Sequence, residues 1–400
     1  MISFEEAGRR VLDGITPVSE SAEVAVTEAL GRVLAHSILA PFAVPNHDNS
    51  AMDGYGVRFQ DLAHEEKTTL TVVADLPAGS RLSTPLGQGE AVRIMTGAPI
   101  PEGCDCVVMQ EEVERQGNLV TIPPGQKSRA HIRPAGEDLA QGSVVLERGR
   151  RLGPADLGLL ASLGLTTVPL FRRLRVALLS TGNEVIVPGD PLAPGQVYDS
   201  NRTALRGALT ALGVEVIDLG LVGDDRRELA ARLDEGSDAD ALITTGGVSV
   251  GDHDLVKEIL AESGAIHFWK VAMKPGKPQA YGRLGRAHFF GLPGNPVSGL
   301  VVYLTLVKPA LLKLMGAIVE PPRRCRLPFR GHLRKKHGRL DFTRGRVLFA
   351  GEEAWVESTG PQGSGILSSL SRANALIILP EGPVELNDGD TVTIQWIDYD

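Results

Sequence analysis

The chain has 400 residues, 42% hydrophobic and 22% charged, which fits a globular protein of about two to four domains with apolar surface enough for a core. Its formal charge of −8 argues against broad binding to nucleic acid or an anionic membrane, both of which repel a net anion. The opening MISFEEAGRR has early acids and no apolar run, so it does not read as a secretion signal. The three cysteines form the odd, sparse set expected in a reducing cytoplasm. Cys-Asp-Cys at 104–106 lacks nearby His or Cys partners for a metal and reads as buried free thiols.

In chain order, residues 1–40 read as helix, the second part amphipathic and helix-prone from about Val26. Across 70–150, short β-rich runs (LTVVADL, CDCVVMQEEV, NLVTIP, GSVVLERG) split by Gly and Pro predict a small β domain, and 152–165 reads as one short helix. From about 174 the rhythm changes. LRVALLSTG is an apolar run expected of a strand buried on both faces. SNRTALRGALTALG then predicts a helix capped by Ser200 or Asn201, with Leu205, Ala208, Leu209 and Leu212 on one face and Gly213 at its end. VEVIDLGLV, ADALITTGG and AHFFGL follow as strands, RRELAARLDEG and DLVKEILAESG as helices, and a further helix starts at Pro296. Strands alternating with helices imply a parallel sheet with right-handed crossovers over about 174–320. The apolar stretch 297–319, interrupted by Lys308, Pro309 and Lys313, reads as a packed helix and its end, not a membrane span. Residues 321–400 return to short strands, with a turn at 387–390. The fold class is thus α/β plus β.

Ligands of open α/β sheets bind at the C-terminal strand ends. Here those ends carry STGNE with Glu184, GDD with Asp224 and Asp225, and TTGGVSVGDHD with Asp252 and Asp254. Facing them are KVAMKPGKP, with Lys270, Lys274 and Lys277, and GLPGNPVS. In the latter Asn295 suits an N-cap and Pro296 the first helical position, and a helix N-terminus behind a glycine loop is an anion site. Carboxylates beside a phosphate point to Mg²⁺, which takes one or two protein acids plus phosphate oxygens and water. Taken singly, an acid after a strand is more often a helix cap or a solvated loop residue, and Lys-Pro pairs also serve as simple turns; the convergence of four loops on one sheet edge carries the reading. No P-loop or Rossmann fingerprint is present. NHDNSAMDGYG at 46–56 and RPAGED at 133–138 are polar clusters that, alone, read as loops.

Together DNSAMDGYG, RIMTGAP, GED, STGNE, TTGGVSVGDHD, KPGKP, GLPGNPVS and QGSGILSS, in this order over residues 48–369, resemble the molybdopterin molybdenumtransferase family, the MoeA and gephyrin E-domain type. The resemblance implies four subdomains: an elongated split one (1–45 and 139–170), an inserted β domain (46–138), the α/β molybdopterin-binding domain (171–320) and a C-terminal β domain (321–400). It implies a cytoplasmic homodimer with a shared cleft, acting on adenylated molybdopterin and molybdate with Mg²⁺ and releasing AMP, with the molybdopterin adenylyltransferase as a candidate partner. It assigns catalysis to Asp53, Asp138, Glu184, Asp224 and Asp254, and the metal to Asp224, Asp252 and Asp254. Substrate binding falls to Thr96, Thr181, Gly246, Gly247, Ser249, Lys270, Lys274, Lys277, Pro293, Asn295, Pro296, Ser298, Arg344 and Ser364. Asn183 departs from the family pattern, where an Asp is common, and leaves one fewer charge near the metal; Gly56 stands where Ala is usual, and Pro134 interrupts an often basic run. The basic run 323–346, with ten Lys/Arg and one acid, reads either as a solvated face or as the source of Arg344, closing over an oxyanion with Ser364. The competing functions are adenylyl transfer to molybdopterin and a non-catalytic scaffold of the same fold; a scaffold would not need all five acids.

Overall fold

The computed structural model describes residues 1–247, 255–262, 266–336 and 338–399. Two compact units are present: Met1–Ala35 with Gly149–Leu157 and Thr166–Asp400, and His36–Arg148 with Gly158–Leu165.

The larger unit is centred on an α/β domain. Strand β1 (Arg175–Thr181) is buried at every residue but the first, which suits a central position covered on both faces. It pairs in parallel with β2 (Glu215–Val222) and β3 (Ala241–Thr245). Strands β4 (Ile266–Lys270), β5 (Pro278–Leu284) and β6 (Ala287–Leu292) complete the order β2-β1-β3-β6-β5-β4. The sheet is therefore mixed, not all-parallel: β5 runs antiparallel to both neighbours. Only Gly285 and Arg286 separate β5 from β6, too few for a crossover and enough for a hairpin. The Pro and Gly within PQAYGRL disguise β5 as loop in the sequence.

Helix α1 (Ser200–Leu212) buries Leu205, Ala208, Leu209 and Leu212 and ends at Gly213, whose φ is 87°. Its cap is Asp199, not Ser200 or Asn201: the Asp199 side chain accepts the Arg202 amide. The Asn201 amide reaches instead to the Gly294 carbonyl at 2.7 Å. The apolar stretch expected to pack as a helix does so as Pro296–Leu314, mostly buried although long and apolar enough to cross a membrane. Its middle, Tyr303–Val307, winds as π-helix, next to Pro309, which has no amide to offer the Thr305 carbonyl.

Strands Arg324–Arg330, Leu340–Ala350, Glu353–Ser358, Ala375–Leu379 and Thr391–Trp396 pair in a closed ring. The expected turn at 387–390 is present, with the Asn387 amide donating to Asp390 at 2.7 Å. Met273–Lys274 pairs in parallel with Leu340 and Asp341, tying the KPGKP segment to this barrel. Near the N-terminus Phe4–Asp13 is helical, capped by Ser3. The helix expected from Val26 does not form. Ser21–Ala25 is a strand paired with Thr167–Phe171, and only Val26–Glu28 coils, as a 3-10 turn. Val24 serves a strand as well as a helix face, and pairing with the distant Thr167–Phe171 decides between them.

The smaller unit carries a six-stranded sheet ordered Cys106–Met109, Gly54–Val57, Glu90–Ile94, Thr68–Leu76, Leu119–Ile122, Glu114–Gln116. Cys104 and Cys106 are free and buried in its core, and burial pushes their thiols up to about 12 and about 11.

Candidate functional site

Strands β1, β3 and β6 end side by side: Ser180 is the register partner of Thr245, and Thr245 of Leu292. Beyond these ends lies a pocket of about 670 Å³. Its floor is Ser180, Thr181 and Thr245, continued by Gly246 and Gly247; Pro293 to Pro296 form one wall, and Glu184, Tyr198 and Asp199 another, with Gly365 and Leu367 contributed by the C-terminal segment. The glycines are demanded by geometry. Gly246 and Gly247 have φ of 87° and 65°, and a Cβ would lie 2.7 Å from the Thr181 carbonyl oxygen at the first and 2.3 Å from Val256 Cγ2 at the second. Only bare backbone fits between the strand end and the pocket.

Of the acids expected here, Glu184 lines the pocket. Asp224 is locked to Asn183 by two reciprocal bonds: Asn183 Nδ2 donates to Asp224 Oδ2 at 2.8 Å, and the Asp224 amide donates to Asn183 Oδ1 at 2.8 Å. A neutral amide thus fixes a carboxylate that an Asp at 183 would repel. Asp225 caps the helix Arg226–Gly236, accepting from the Arg227 and Glu228 amides, which is the ordinary role of an acid after a strand. Ser249, Asp252 and Asp254 lie outside the described residues. Among the described residues no three His, Cys, Asp or Glu side chains gather in a metal-binding group.

On the anion side, Asn295 holds the N-cap position of the helix without a side-chain capping bond. At this helix start, read as an anion site, the Val297 amide donates to the Ser364 carbonyl at 3.1 Å. The same bond brings Ser364 to the helix start beside buried Ser298. Lys274 Nζ is 3.2 Å from the buried Asp341 carboxylate, and Lys270 and Lys277 are exposed. Arg344 is only 1% exposed. Its Nε donates to Ser369 Oγ and its Nη2 to the Gly363 carbonyl, both at 3.0 Å, while its own amide donates to Gln362. Burial lowers its pKa from the ordinary arginine value. It braces the QGSGILSS loop from inside.

In the smaller unit Asp53 Oδ1 accepts from both the amide and the hydroxyl of Thr96, at 2.8 and 2.7 Å; these bonds hold its carboxyl below the usual range. Asp138 is exposed, its amide bonded to the Val44 carbonyl.

Ser180, Asp199, Asn201 and Thr245 line the pocket and were not anticipated as site residues. Ser180 precedes Thr181 in the apolar strand and looked like part of the core. The signal for Asp199 was an acid directly before an amphipathic helix at the same sheet edge.

Bare glycine backbone, strand-end hydroxyls and a helix start around one pocket define an α/β domain with a ligand pocket at its strand ends. Comparison with known proteins fixes which kind. Residues 2–164 match the MoeA N-terminal region (domains I and II), 177–313 the probable molybdopterin binding domain, and 326–397 the MoeA C-terminal region (domain IV). The chain is 42% identical to the molybdopterin molybdenumtransferase of Haemophilus influenzae, covering 99% of this chain and 98% of that one. It is 38% identical to molybdopterin molybdenumtransferase 2 of Mycobacterium tuberculosis, with 96% and 97% covered. A molybdopterin biosynthesis MoeA protein from Pyrococcus horikoshii OT3 superposes with a TM-score of 0.86 at 29% identity, over 99% of this chain and 100% of that one. The chain belongs to the MoeA family of molybdopterin molybdenumtransferases, enzymes of molybdenum cofactor biosynthesis.

Proposed function

We propose that the pocket takes adenylated molybdopterin and that molybdenum insertion from molybdate releases AMP there. The observation that carries this reading is the bare backbone of Gly246 and Gly247, set beside Thr181 and across from the Pro293 to Pro296 wall. The Gly246 amide is spent on the Leu292 carbonyl at 3.1 Å, so what the glycines supply is a cradle with room for a phosphate group to approach the backbone and no side chain intruding. In this reading Thr181, Asn295 and Pro296 shape the cradle. Molybdate, a tetrahedral dianion, is received by Lys274, Lys277, Ser298 and Ser364, with Lys270 adding positive charge. Arg344 supports them by holding the loop that carries Ser364.

The donors suit Mg²⁺. Glu184 and Asp224 are hard oxygen ligands, and Mg²⁺ takes one or two carboxylates beside phosphate oxygens and water. They would hold the ion together with Asp252 and Asp254. When bound it would neutralise phosphate charge. Asp53, Thr96 and Asp138 act in the cleft of a cytoplasmic homodimer, each cleft shared between two copies. The resemblance of DNSAMDGYG, RIMTGAP and GED to family motifs supports that part.

The test is to incubate the protein with adenylated molybdopterin, molybdate and Mg²⁺ and to follow AMP. Molybdate-dependent AMP release is expected. ATP consumption with unadenylated molybdopterin, and none of the former activity, would assign the chain to adenylyl transfer instead.

A further inference from the structure

Beneath the pocket floor lies a chain of bonds that the proposed chemistry does not use. Asp199 is 2% exposed and lines the pocket. Its carboxylate faces Arg202, with Nε 2.9 Å from Oδ2 and the Arg202 amide 3.0 Å from Oδ1. Arg202 in turn reaches Asp218 at 2.9 Å. Ser180 Oγ donates to Asp199 Oδ1 at 3.1 Å. Ser180 Oγ and Thr245 Oγ1 are 3.0 Å apart.

A serine hydroxyl has one proton. Ser180 gives it to Asp199, so the proton between Ser180 and Thr245 must come from Thr245. The direction Thr245 to Ser180 to Asp199 is therefore set by the carboxylate, and an ionised acceptor strengthens such a chain. The position of Thr245 is fixed as well. It is the last residue of β3, and Thr181 Oγ1 donates to its carbonyl at 3.3 Å. With its proton committed, the Thr245 hydroxyl has only lone pairs left, and the residue lines the pocket.

We propose that Asp199, acting through Ser180, makes Thr245 an obligate hydrogen-bond acceptor on the pocket floor, which selects a ligand carrying an N–H or O–H donor at that point. Asp199 and Ser180 are positioning residues and Thr245 determines specificity. The inference rests on the pocket being the adenylated molybdopterin site. The donor belongs either to the pterin half of that ligand or to its nucleotide half, and the two halves can be tested separately.

Thr245→Val keeps the shape and removes the acceptor; Thr245→Ser keeps the acceptor. Ser180→Ala releases the Thr245 proton while leaving the Asp199–Arg202 cap in place. Binding of adenylated molybdopterin, of unadenylated molybdopterin and of AMP is measured by calorimetry for each variant, with thermal melting to confirm folding. Thr245→Val should weaken the adenylated ligand about tenfold, the scale of one lost hydrogen bond that leaves a donor unpaired. It should also weaken one half-ligand and spare the other, which general damage to the fold would not do. Thr245→Ser should recover most of the affinity. Ser180→Ala should cause a smaller loss that disappears in the Thr245→Val background, because both act through one hydroxyl. Wild-type affinity of Thr245→Val for all three ligands overturns the inference, as do equal losses in both halves or additive effects of the two substitutions. Failure of the wild-type protein to bind adenylated molybdopterin is a separate result and overturns the site reading itself, the inference with it.

Discussion

Gly246→Ala separates the phosphate cradle from mere loop structure. The glycine has φ of 87°, and a Cβ built on it lies 2.7 Å from the Thr181 carbonyl oxygen. Left-handed backbone costs a non-glycine residue about 1–2 kcal/mol. Relief of the contact to an ordinary 3.4 Å requires a displacement of about 0.7 Å. Thr181 ends a strand paired on both sides, so the loop after Thr245 must give, at about 1–3 kcal/mol more. A shift of that size at an anion cradle should lower kcat/KM for AMP release on the order of tenfold to a hundredfold. Gly389→Ala is the control: its φ is 89° and no described residue lies within 4 Å of the added carbon. It should lose the backbone part of the stability and none of the activity. Thermal melting and molybdate-dependent AMP release are measured for both. If Gly246→Ala matches Gly389→Ala in activity as well as in melting temperature, the close approach of backbone to ligand is refuted.

Asn183→Asp replaces the amide that pins Asp224 with a second carboxylate. It should lower the Mg²⁺ concentration for half-maximal AMP release severalfold and increase stabilisation by Mg²⁺ in melts without substrate; no change in either would remove Asp224 from the metal site. Arg344→Ala takes away the brace of the Gln362 to Ser369 loop, so proteolysis within that loop should quicken and both molybdate and pterin requirements should rise, whereas a loss confined to molybdate would make Arg344 a direct oxyanion ligand. His288 is 2% exposed, its Nε2 has no partner among the described residues, and burial lowers its pKa to about 4 from the ordinary 6.5. The unfolded chain therefore binds a proton at higher pH than the folded one, and stability should fall as pH drops from 6.5 toward 4. His288→Phe should flatten that part of the profile in denaturant titrations.

What could be read from the chain and what could not divides along physical lines. The α/β core was legible because its signals are local. Buried strands such as RVALLST carry an unbroken apolar run, VALL, and α1 shows its four core residues at helical spacing. The glycine loop and GLPGNP were legible because flexible backbone and a helix start at a strand end have few other uses. Several misreadings involve partners distant in sequence. Val24 is drawn from helix to strand geometry by its pairing with Val168, far along the chain. Arg344, one of ten basic residues in an exposed-looking run, proves to be buried because Ser369 and Gly363 accept from it. Asp199 looked like an ordinary residue before a helix. It is a cap, but its second oxygen pair-bonds to Arg202 while its first reaches Ser180, so one carboxylate both starts α1 and orients the pocket floor. A residue with a sufficient local role hides a second, non-local one, since the first already accounts for its presence. The same holds for Asn183. As a turn residue after β1 it needs no explanation, and only its two bonds to Asp224 show that a neutral side chain holds a carboxylate in place after β2.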